Sequence, residues 1–272
     1  NGFITGVTTD DSIRPGSLDL TITGEVFRVR GAFLPASGED MLQSLKRVGS
    51  IPLTGEKILL ENRCCYVLPL NESVAGLPQG VYAFCNPKSS SGRVDMHVRL
   101  MVDGGSRYDA IDKSYKGRLW LLVVPKTFPV IVSSGLSLNQ GRFFNADTRF
   151  SEWDLEMNFR GLLYGADGQQ FEYVGQKHSD KDGSILLSLG LGFDSPGFEA
   201  IEGGDPIDLS LRSHYDPKYY FRPVSVLDKS ITLTSGTFYI LSTREYVRVP
   251  PELACEMVPM DERNGEFRSH YA

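Results

Sequence analysis

Three serines enclosed by two cations form the stretch of this chain with the clearest capacity for chemistry. Lys88 and Arg93 flank Ser89, Ser90, Ser91 and one glycine. Hydroxyls, backbone amides and cations crowded into a short turn can each donate a hydrogen bond to phosphate oxygens. The spacing therefore predicts an anion-binding turn, although a solvated turn is the ordinary interpretation of a serine-rich segment considered alone.

A second polar segment follows, immediately before an apolar strand. Residues 111–117 place Asp112 and Tyr115 in a tight loop. A phosphate-binding turn followed by a carboxylate and an aromatic ring favours a nucleotide site. Further along the chain, Gln140 is a neutral side chain that can bond a phosphate or a base edge, while a surface glutamine is the plainer interpretation.

Composition and charge limit the classes of function. The chain has 272 residues, of which 41% are hydrophobic and 23% charged, and its net charge is −6. This length suits one large domain or two ordinary ones with a sizeable core. The negative charge argues against a general nucleic-acid partner, but a local basic pocket can still hold a phosphorylated small molecule. With no long apolar run and no signal peptide, we expect no membrane partner.

The cysteines and histidines do not form a metal-binding pattern. Four cysteines lack CxxC spacing, so free thiols in a reducing cytoplasm are predicted. Four histidines are scattered without an HExxH pairing, so no metal site is predicted. The chain starts at Asn1 without a methionine and stops at Ala272 without a turn signal, and we expect residues to be missing at both ends.

Hydrophobic periodicity predicts a mainly β protein. Residues 18–23 alternate apolar and polar, which predicts a half-buried strand with Asp19 on its polar side, where a solvated or turn-bonding aspartate is the plainer interpretation. Apolar residues at helical spacing predict a helix over 39–48. Residues 118–124 predict a strand buried on both faces, and a hairpin is expected over 159–174. Further short strands are predicted at 25–30, 58–60, 64–70 and 81–85.

The second half of the chain repeats part of the first. Residues 206–211 resemble residues 17–22, so that Asp208 corresponds to Asp19, and Glu245 likewise corresponds to Glu72. The repeat predicts a first fold over residues 1–150, then a connecting hairpin and a second, degenerate and incomplete fold over 151–272. Chance similarity between β-rich segments is the alternative.

The second copy of the anion-binding turn would fall near residues 257–265. There Asp261 and Glu262 replace the serines and would repel phosphate, while Arg263 remains as a cationic candidate.

These motifs together resemble the dCTP deaminase and dUTPase superfamily. The resemblance rests on residues 13–20, 87–93, 111–117 and 135–140, which stand in the family's order. It implies a tandem pair of dUTPase-like antiparallel β-barrel or sandwich folds with few short helices. It also implies a homo-oligomer with a trimer-like arrangement of folds, sites at interfaces between folds, and a deoxynucleoside triphosphate substrate carried with Mg²⁺.

The resemblance also implies roles for individual residues. Those predicted to bind substrate are Lys88, Ser89, Ser90, Ser91, Tyr115 and Gln140. Those predicted to take part in catalysis are Arg93, Asp112 and Arg263, with Asp112 touching the deoxyribose or positioning a water.

One family feature is absent from the first half. Deaminases of this family carry a glutamate on the strand after the substrate loop, which activates the attacking water. The matching position here is about Leu122. The first copy therefore does not supply this base, and we expect the second copy to carry it beyond Ala272.

Three functions follow as hypotheses. The first is a zinc-independent dCTP deaminase that forms dUTP and ammonia. The second is a dUTP diphosphatase, or a bifunctional enzyme, in which Asp112 orients a water toward phosphorus; a glycine-rich C-terminal arm that this branch uses is not apparent. The third is a non-catalytic nucleotide-binding assembly module.

Overall fold

Strands make up most of the regular structure and short helices the rest, as the sequence predicts. The computed structural model describes residues 2–172, 183–192 and 195–258. The helices are α1 Met41–Arg47, α2 Ser89–Gly92 and α3 Glu152–Asn158, with 3-10 turns at Asp10–Ser12 and Pro217–Tyr219. The strands are β1 Ile4–Thr5, β2 Leu18–Thr21, β3 Val26–Val29, β4 Ile51–Leu53, β5 Lys57–Leu60, β6 Cys65–Val74, β7 Tyr82–Pro87, β8 Met96–Val102, β9 Ala110–Ile111, β10 Gly117–Pro125, β11 Val130–Ser133, β12 Ser137–Phe144, β13 Leu163–Tyr164, β14 Gly197–Ala200, β15 Ile207–Asp208, β16 Phe221–Pro223, β17 Tyr239–Leu241 and β18 Tyr246–Val247. Within these ranges, no helix combines the length and apolar character needed to cross a membrane.

The chain divides into two units. Among the described residues, the first comprises those up to Ala146 together with Glu202–Asp216, and the second comprises those between Asp147 and Ile201 and those from Pro217 to Val258. The segment that repeats the motif of residues 17–22 therefore belongs to the first unit.

The first unit is built from three sheets. The largest has the order β4-β3-β6-β10-β8, with β1 also paired to β6. The second has the order β2-β12-β7-β9, and the third has the order β15-β11-β5. Strands β2 and β7 lie against β6 and β8, so the first two sheets form two layers. No sheet within the described residues closes into a barrel.

Strand β10 lies between β6 and β8 in the largest sheet, and its residues Leu119 to Val123 are all buried. Successive side chains of a strand point to opposite faces. Trp120 and Leu122 pack in a core cluster with Met41 and Leu45 of α1. The side chains between them point to the other face, where the second sheet lies. The prediction of a strand buried on both faces is confirmed, and so is the helix predicted over 39–48.

Helix α1 begins at a capping box. Asp40 accepts a hydrogen bond from the Gln43 backbone at 2.8 Å, and the Gln43 side chain accepts one from the Asp40 backbone at 3.2 Å. This pair satisfies two of the unpaired N–H groups at the helix start.

Two local predictions differ from the structure. The alternation favours a solvated or turn-bonding Asp19, but all four residues of β2 are buried, and the Asp19 carboxylate pairs with Lys88 and Arg14. Residues 152–158 form helix α3, where a connecting segment was expected, and its capping pair is Ser151 with Asp154. The hairpin expected over 159–174 is represented by β13 and a bridge from Tyr164 to Gln170, and its last two residues lie outside the described ranges.

The second unit has its own apolar cluster and two small sheets. The cluster contains Leu155, Phe159, Leu162 and Leu163 from α3 and the residues that follow it. Strand β13 pairs with β18, and β14 lies between β16 and β17.

The two motif copies lie in different strand settings. Asp19 lies in β2, which pairs antiparallel with β12, whereas Asp208 lies in β15, which pairs parallel with β11. Glu72 and Glu245 are both buried, and each accepts a backbone N–H, from Thr21 and from Ser188 respectively. The tandem repeat therefore stays a hypothesis.

Helix α1 offers a matched pair of leucines that tests the core. Leu45 is 3% exposed and Leu42 is 55% exposed. We expect Leu45→Ala to lower the free energy of unfolding by about 2–4 kcal/mol, because it removes buried methyl groups and leaves a cavity. Leu42→Ala should change it by less than about 0.5 kcal/mol. Urea unfolding of the full chain measures both, and equal losses would contradict the placement of α1.

Candidate functional site

The serine-rich turn begins where β7 ends, and only part of it faces solvent. The backbone N–H of Lys88 donates to the Leu138 carbonyl at 3.0 Å, and the Ser91 hydroxyl donates to the same carbonyl at 2.9 Å. Ser91 is 1% exposed, so it anchors the turn to β12 instead of presenting its hydroxyl to a ligand. The hydroxyls of Ser89 and Ser90 are on exposed residues.

Arg93 closes this turn and is also exposed. Its backbone N–H donates to the Ser89 carbonyl at 2.9 Å, which fixes its place relative to the serines. Within the described part of the chain no side-chain partner holds its guanidinium. Arg93, Ser89 and Ser90 therefore present donors to solvent from one short turn, as an anion site requires.

Gln140 lies beside this turn because of the strand register. It stands opposite Asp19 of β2 on one side and Asn86 of β7 on the other. The Ser17 hydroxyl donates to Gln140 Oε1 at 3.2 Å, which leaves the amide NH₂ as the donor end of the side chain. Gln140 is thus oriented to donate a hydrogen bond.

Asp19 and Arg14 are polar neighbours that the sequence did not assign to the site. Asp19 Oδ2 accepts from Lys88 Nζ at 2.5 Å and from Arg14 Nε at 3.5 Å. The polar position of Asp19 in an alternating strand was the available signal, but the same signal fits a solvated aspartate.

Asp112 lies at the surface in the loop after β9. Its carboxylate accepts a hydrogen bond from the Arg107 guanidinium at 2.5 Å, and both side chains are more than half exposed. A paired but exposed carboxylate of this kind remains accessible to a ligand or a water.

Tyr115 fastens the same loop. Its hydroxyl donates to the Arg118 carbonyl at 2.6 Å and accepts from the Asp103 backbone N–H at 3.2 Å. Burial, together with the nearby Asp103 carboxylate, raises the pKa of Tyr115 to about 12. The hydroxyl is therefore committed to holding the loop.

The two segments that the sequence placed in one site lie at opposite ends of β7. Ile111 pairs with Ala83, which brings the Asp112 loop to the Tyr82 end, and Lys113 Nζ lies 5.7 Å from the centre of the Tyr82 ring. The serine-rich turn follows Pro87 at the other end. Because a strand rises about 3.3 Å per residue, the length of β7 separates them by roughly 17 Å. One copy of this fold does not bring Asp112 to the serines.

Leu122 lies where the family's glutamate is expected, and the structure places it in the core. It is 4% exposed and packs in one cluster with Met41 and Leu45 of α1. No carboxylate of the first unit takes this position, as the sequence predicts.

Asp109, which the sequence did not single out, connects the loop before Asp112 to β7 and β8 through its hydrogen bonds. It adopts a positive φ of 61°, and its carboxylate accepts from the Leu100 N–H at 2.7 Å and pairs with Arg99. Its backbone carbonyl accepts from the Cys85 N–H at 2.9 Å, which ties the loop to β7. Burial raises the pKa of Asp109 to about 6, although Arg99 opposes this shift.

The remaining site predictions concern Arg263 and metal binding. Arg263 lies outside the described residues. Within the described ranges, no three His, Cys, Asp or Glu side chains form a group that would hold a metal ion.

Comparison with known proteins identifies the family. The profile of the 2'-deoxycytidine 5'-triphosphate deaminase N-terminal domain matches residues 3–147, and that of the C-terminal domain matches residues 167–272. The chain belongs to the dCTP deaminase family. The resemblance inferred from the sequence is confirmed at this level.

Several dCTP deaminases are similar to this chain. The enzyme of Metallosphaera sedula is 26% identical over 131 residues, and that of Acidianus ambivalens is 28% identical over 128 residues. Each match covers 47% of this chain and 66% of the relative, just under two thirds of its length. The crystal structure of 2'-deoxycytidine 5'-triphosphate deaminase from Agrobacterium tumefaciens is 32% identical, with a TM-score of 0.84. That match covers 99% of this chain and 80% of the other.

The raised pKa of Asp109 predicts a pH dependence of stability. Its folded pKa of about 6 lies above the ordinary value of 3.8, so its contribution to stability is complete below pH 4 and is lost as pH rises through 6. We expect Asp109→Asn, whose amide oxygen can still accept from Leu100, to remove this loss. Relative to the variant, the unmodified protein should lose about 2 kcal/mol of unfolding free energy between pH 4 and 7, as measured by urea unfolding.

Arg99→Gln supplies the companion measurement. Removing this cation should raise the pKa of Asp109 further and enlarge the loss as pH rises. A pH profile that is the same for the unmodified protein and Asp109→Asn would show that Asp109 does not titrate in this range.

Proposed function

We propose that this protein is a dCTP deaminase that adds water to the cytosine ring of dCTP and releases ammonia to form dUTP, without zinc. The observation that carries the proposal is that both deaminase domain profiles match in order along one chain. The exposed donors of Ser89, Ser90 and Arg93 beside Gln140 support it, because these groups suit the triphosphate of such a substrate.

Magnesium enters this proposal with the substrate. Mg²⁺ prefers octahedral oxygen ligands, keeps several waters, and is often bound through substrate phosphates with one or two carboxylates. The carboxylate beside the serine turn, that of Asp19, is held by Lys88 and Arg14. We therefore assign the ion to the phosphate oxygens and water, where it neutralises phosphate charge.

The general base is assigned to another copy of the fold. Leu122 leaves the first unit without a carboxylate at the expected position, and β7 separates Asp112 from the serine turn. A site that uses both segments needs groups from more than one fold. We propose that residues 1–150 and 151–272 are two copies of the fold, that the second supplies the glutamate, and that the protein works as a homo-oligomer with trimer-like packing of folds.

A reducing compartment agrees with the state of the thiols. All four cysteines are free: Cys64, Cys65, Cys85 and Cys255. Disulfides form and persist in oxidising compartments and are rare in the cytosol. We therefore assign the protein to the cytoplasm.

The second candidate function is hydrolysis of dUTP to dUMP and pyrophosphate. The exposed Asp112 carboxylate, which pairs with the similarly exposed Arg107, favours it, because such a group can orient a water toward phosphorus. A non-catalytic nucleotide-binding module is the third candidate, favoured by the buried Leu122.

One set of reactions distinguishes these functions. The full-length protein is incubated with dCTP or dUTP and Mg²⁺, and ammonia and pyrophosphate are measured. Ammonia from dCTP supports the deaminase, pyrophosphate from dUTP moves the chemistry to Asp112, and both products from dCTP indicate a bifunctional enzyme. Triphosphate binding without any product would leave the non-catalytic module.

Arg93→Ala tests the triphosphate site directly. The loss of a charge-assisted contact worth about 1.5–3 kcal/mol should raise the KM for dCTP by roughly tenfold to a hundredfold. Arg30→Ala is the matched control, since Arg30 is exposed and follows β3 in the largest sheet, away from β8 and the turn that precedes it. An equal effect of the two substitutions would argue against a specific role for Arg93.

A further inference from the structure

A single carboxylate joins two cations at the edge of the serine-rich turn. The Asp19 side chain is 7% exposed, and its Oδ2 accepts from Lys88 Nζ at 2.5 Å and Arg14 Nε at 3.5 Å. Lys88 and Arg14 are 25% and 54% exposed, so both cations reach solvent while the anion does not. The cluster therefore presents positive charge outward and carries a net charge of about +1 when all three groups are ionised.

Lys88 is suited to act on a ligand while it stays paired. An ammonium group has three N–H donors, and the contact with Asp19 uses one of them. Two donors remain for phosphate oxygens. The lysine stem is flexible, and holding it beforehand removes part of the entropy that binding would otherwise cost. The next residue along the chain is Ser89, so the paired lysine is the residue from which the exposed serine turn begins.

We propose that Asp19 is a positioning residue of the triphosphate site, which acts by holding the Lys88 side chain at the start of the serine turn. The inference rests on the proposed function for the chemical class of the ligand, a deoxynucleoside triphosphate. It adds a residue on a different strand, β2, whose pairing with β12 also places Ser17 against Gln140. Strand β2 thereby orients two donors of the site, Lys88 directly and Gln140 through Ser17.

The same unit contains a matched aspartate that serves as a control. Asp208 is also buried, with a side chain 9% exposed, and its Oδ2 accepts from Lys57 Nζ at 2.7 Å. Ser210 adds hydrogen bonds from its N–H at 2.9 Å and its hydroxyl at 2.6 Å. Lys57 begins β5, in the sheet formed by β15, β11 and β5, and neither it nor Asp208 belongs to the serine turn. Asp208→Asn therefore removes the charge of an aspartate that is about as buried as Asp19 and also pairs with a lysine, but that lies outside the proposed site.

A double-mutant cycle tests the inference. Asp19→Asn, Lys88→Met and the double variant are prepared in the full chain, and kcat and KM for dCTP are measured with binding of inorganic triphosphate. We expect each single substitution to raise the KM and the triphosphate Kd by about tenfold, with kcat changed by less than about twofold. The double variant should be no weaker than Lys88→Met, because Asp19 acts through that lysine.

The controls separate positioning from stability. Thermal unfolding establishes that each variant is folded at the assay temperature. Lys88→Met changes a side chain that is 25% exposed, so it should destabilise the fold less than a change at Asp19, which is 7% exposed. Asp208→Asn should lower the unfolding midpoint while KM and Kd stay within about twofold. Multiplicative effects of Asp19→Asn and Lys88→Met, or a fall in kcat with unchanged KM, would overturn the inference.

The binding measurement keeps this result distinct from that on the proposed function. Coupled losses of triphosphate affinity without any ammonia release would support the role of Asp19 and refute the deaminase. Ammonia release, with losses of triphosphate affinity that are independent for Asp19 and Lys88, would support the deaminase and refute the role of Asp19.

Discussion

The burial of β10 on both faces is the constraint on which the first unit depends. The side chains of Leu119 to Val123 pack against α1 on one side and face the second sheet on the other, and all five are apolar. An unpaired carboxylate at Leu122, a position only 4% exposed, would lie among Trp120, Met41 and Leu45 at a large desolvation cost. The strand that stabilises the unit therefore excludes the base that deamination needs. Under the proposed function, the first fold serves as scaffold and phosphate binder, and the base comes from another fold.

The ends of the strands carry the polar groups, as is usual where a rigid scaffold presents loops. Two of these loops are held by side chains that the sequence assigned to the substrate. Ser91 bonds the Leu138 carbonyl, and Tyr115 bonds the Arg118 carbonyl. Both hydroxyls donate to backbone carbonyls and so hold the loops to the strands beside them. Fewer of the predicted groups face solvent. The hydroxyls of Ser89 and Ser90 and the Arg93 guanidinium do so at one end of β7, and the Asp112 carboxylate does so at the other.

Local patterns predicted the elements whose signal lies within a few residues. The helix near 39–48 and strand β10 follow from apolar spacing, and they have the predicted type and nearly the predicted ends. Strand β8, Met96–Val102, is not among the predicted strands, and its charged Arg99 and polar His97 interrupt the apolar run between two polar segments. Helix α3 was also missed, although its capping pair stands in the sequence. Asp109 had no local signal at all, since its raised pKa arises from burial between β7 and β8.

The sequence by itself determined which functional groups are present and in what order they stand along the chain. It placed hydroxyls between two cations, a leucine at the position of the expected base, and motifs in the order of the dCTP deaminase family. Only the tertiary structure decided which of these groups face a ligand, that Asp19 holds Lys88, and that β7 separates Asp112 from the serines. The physical reason is the range of the contacts. Asp19 and Lys88 are 69 positions apart, and their pairing follows from sheet register and burial, which depend on the whole fold and leave no periodic trace along the chain.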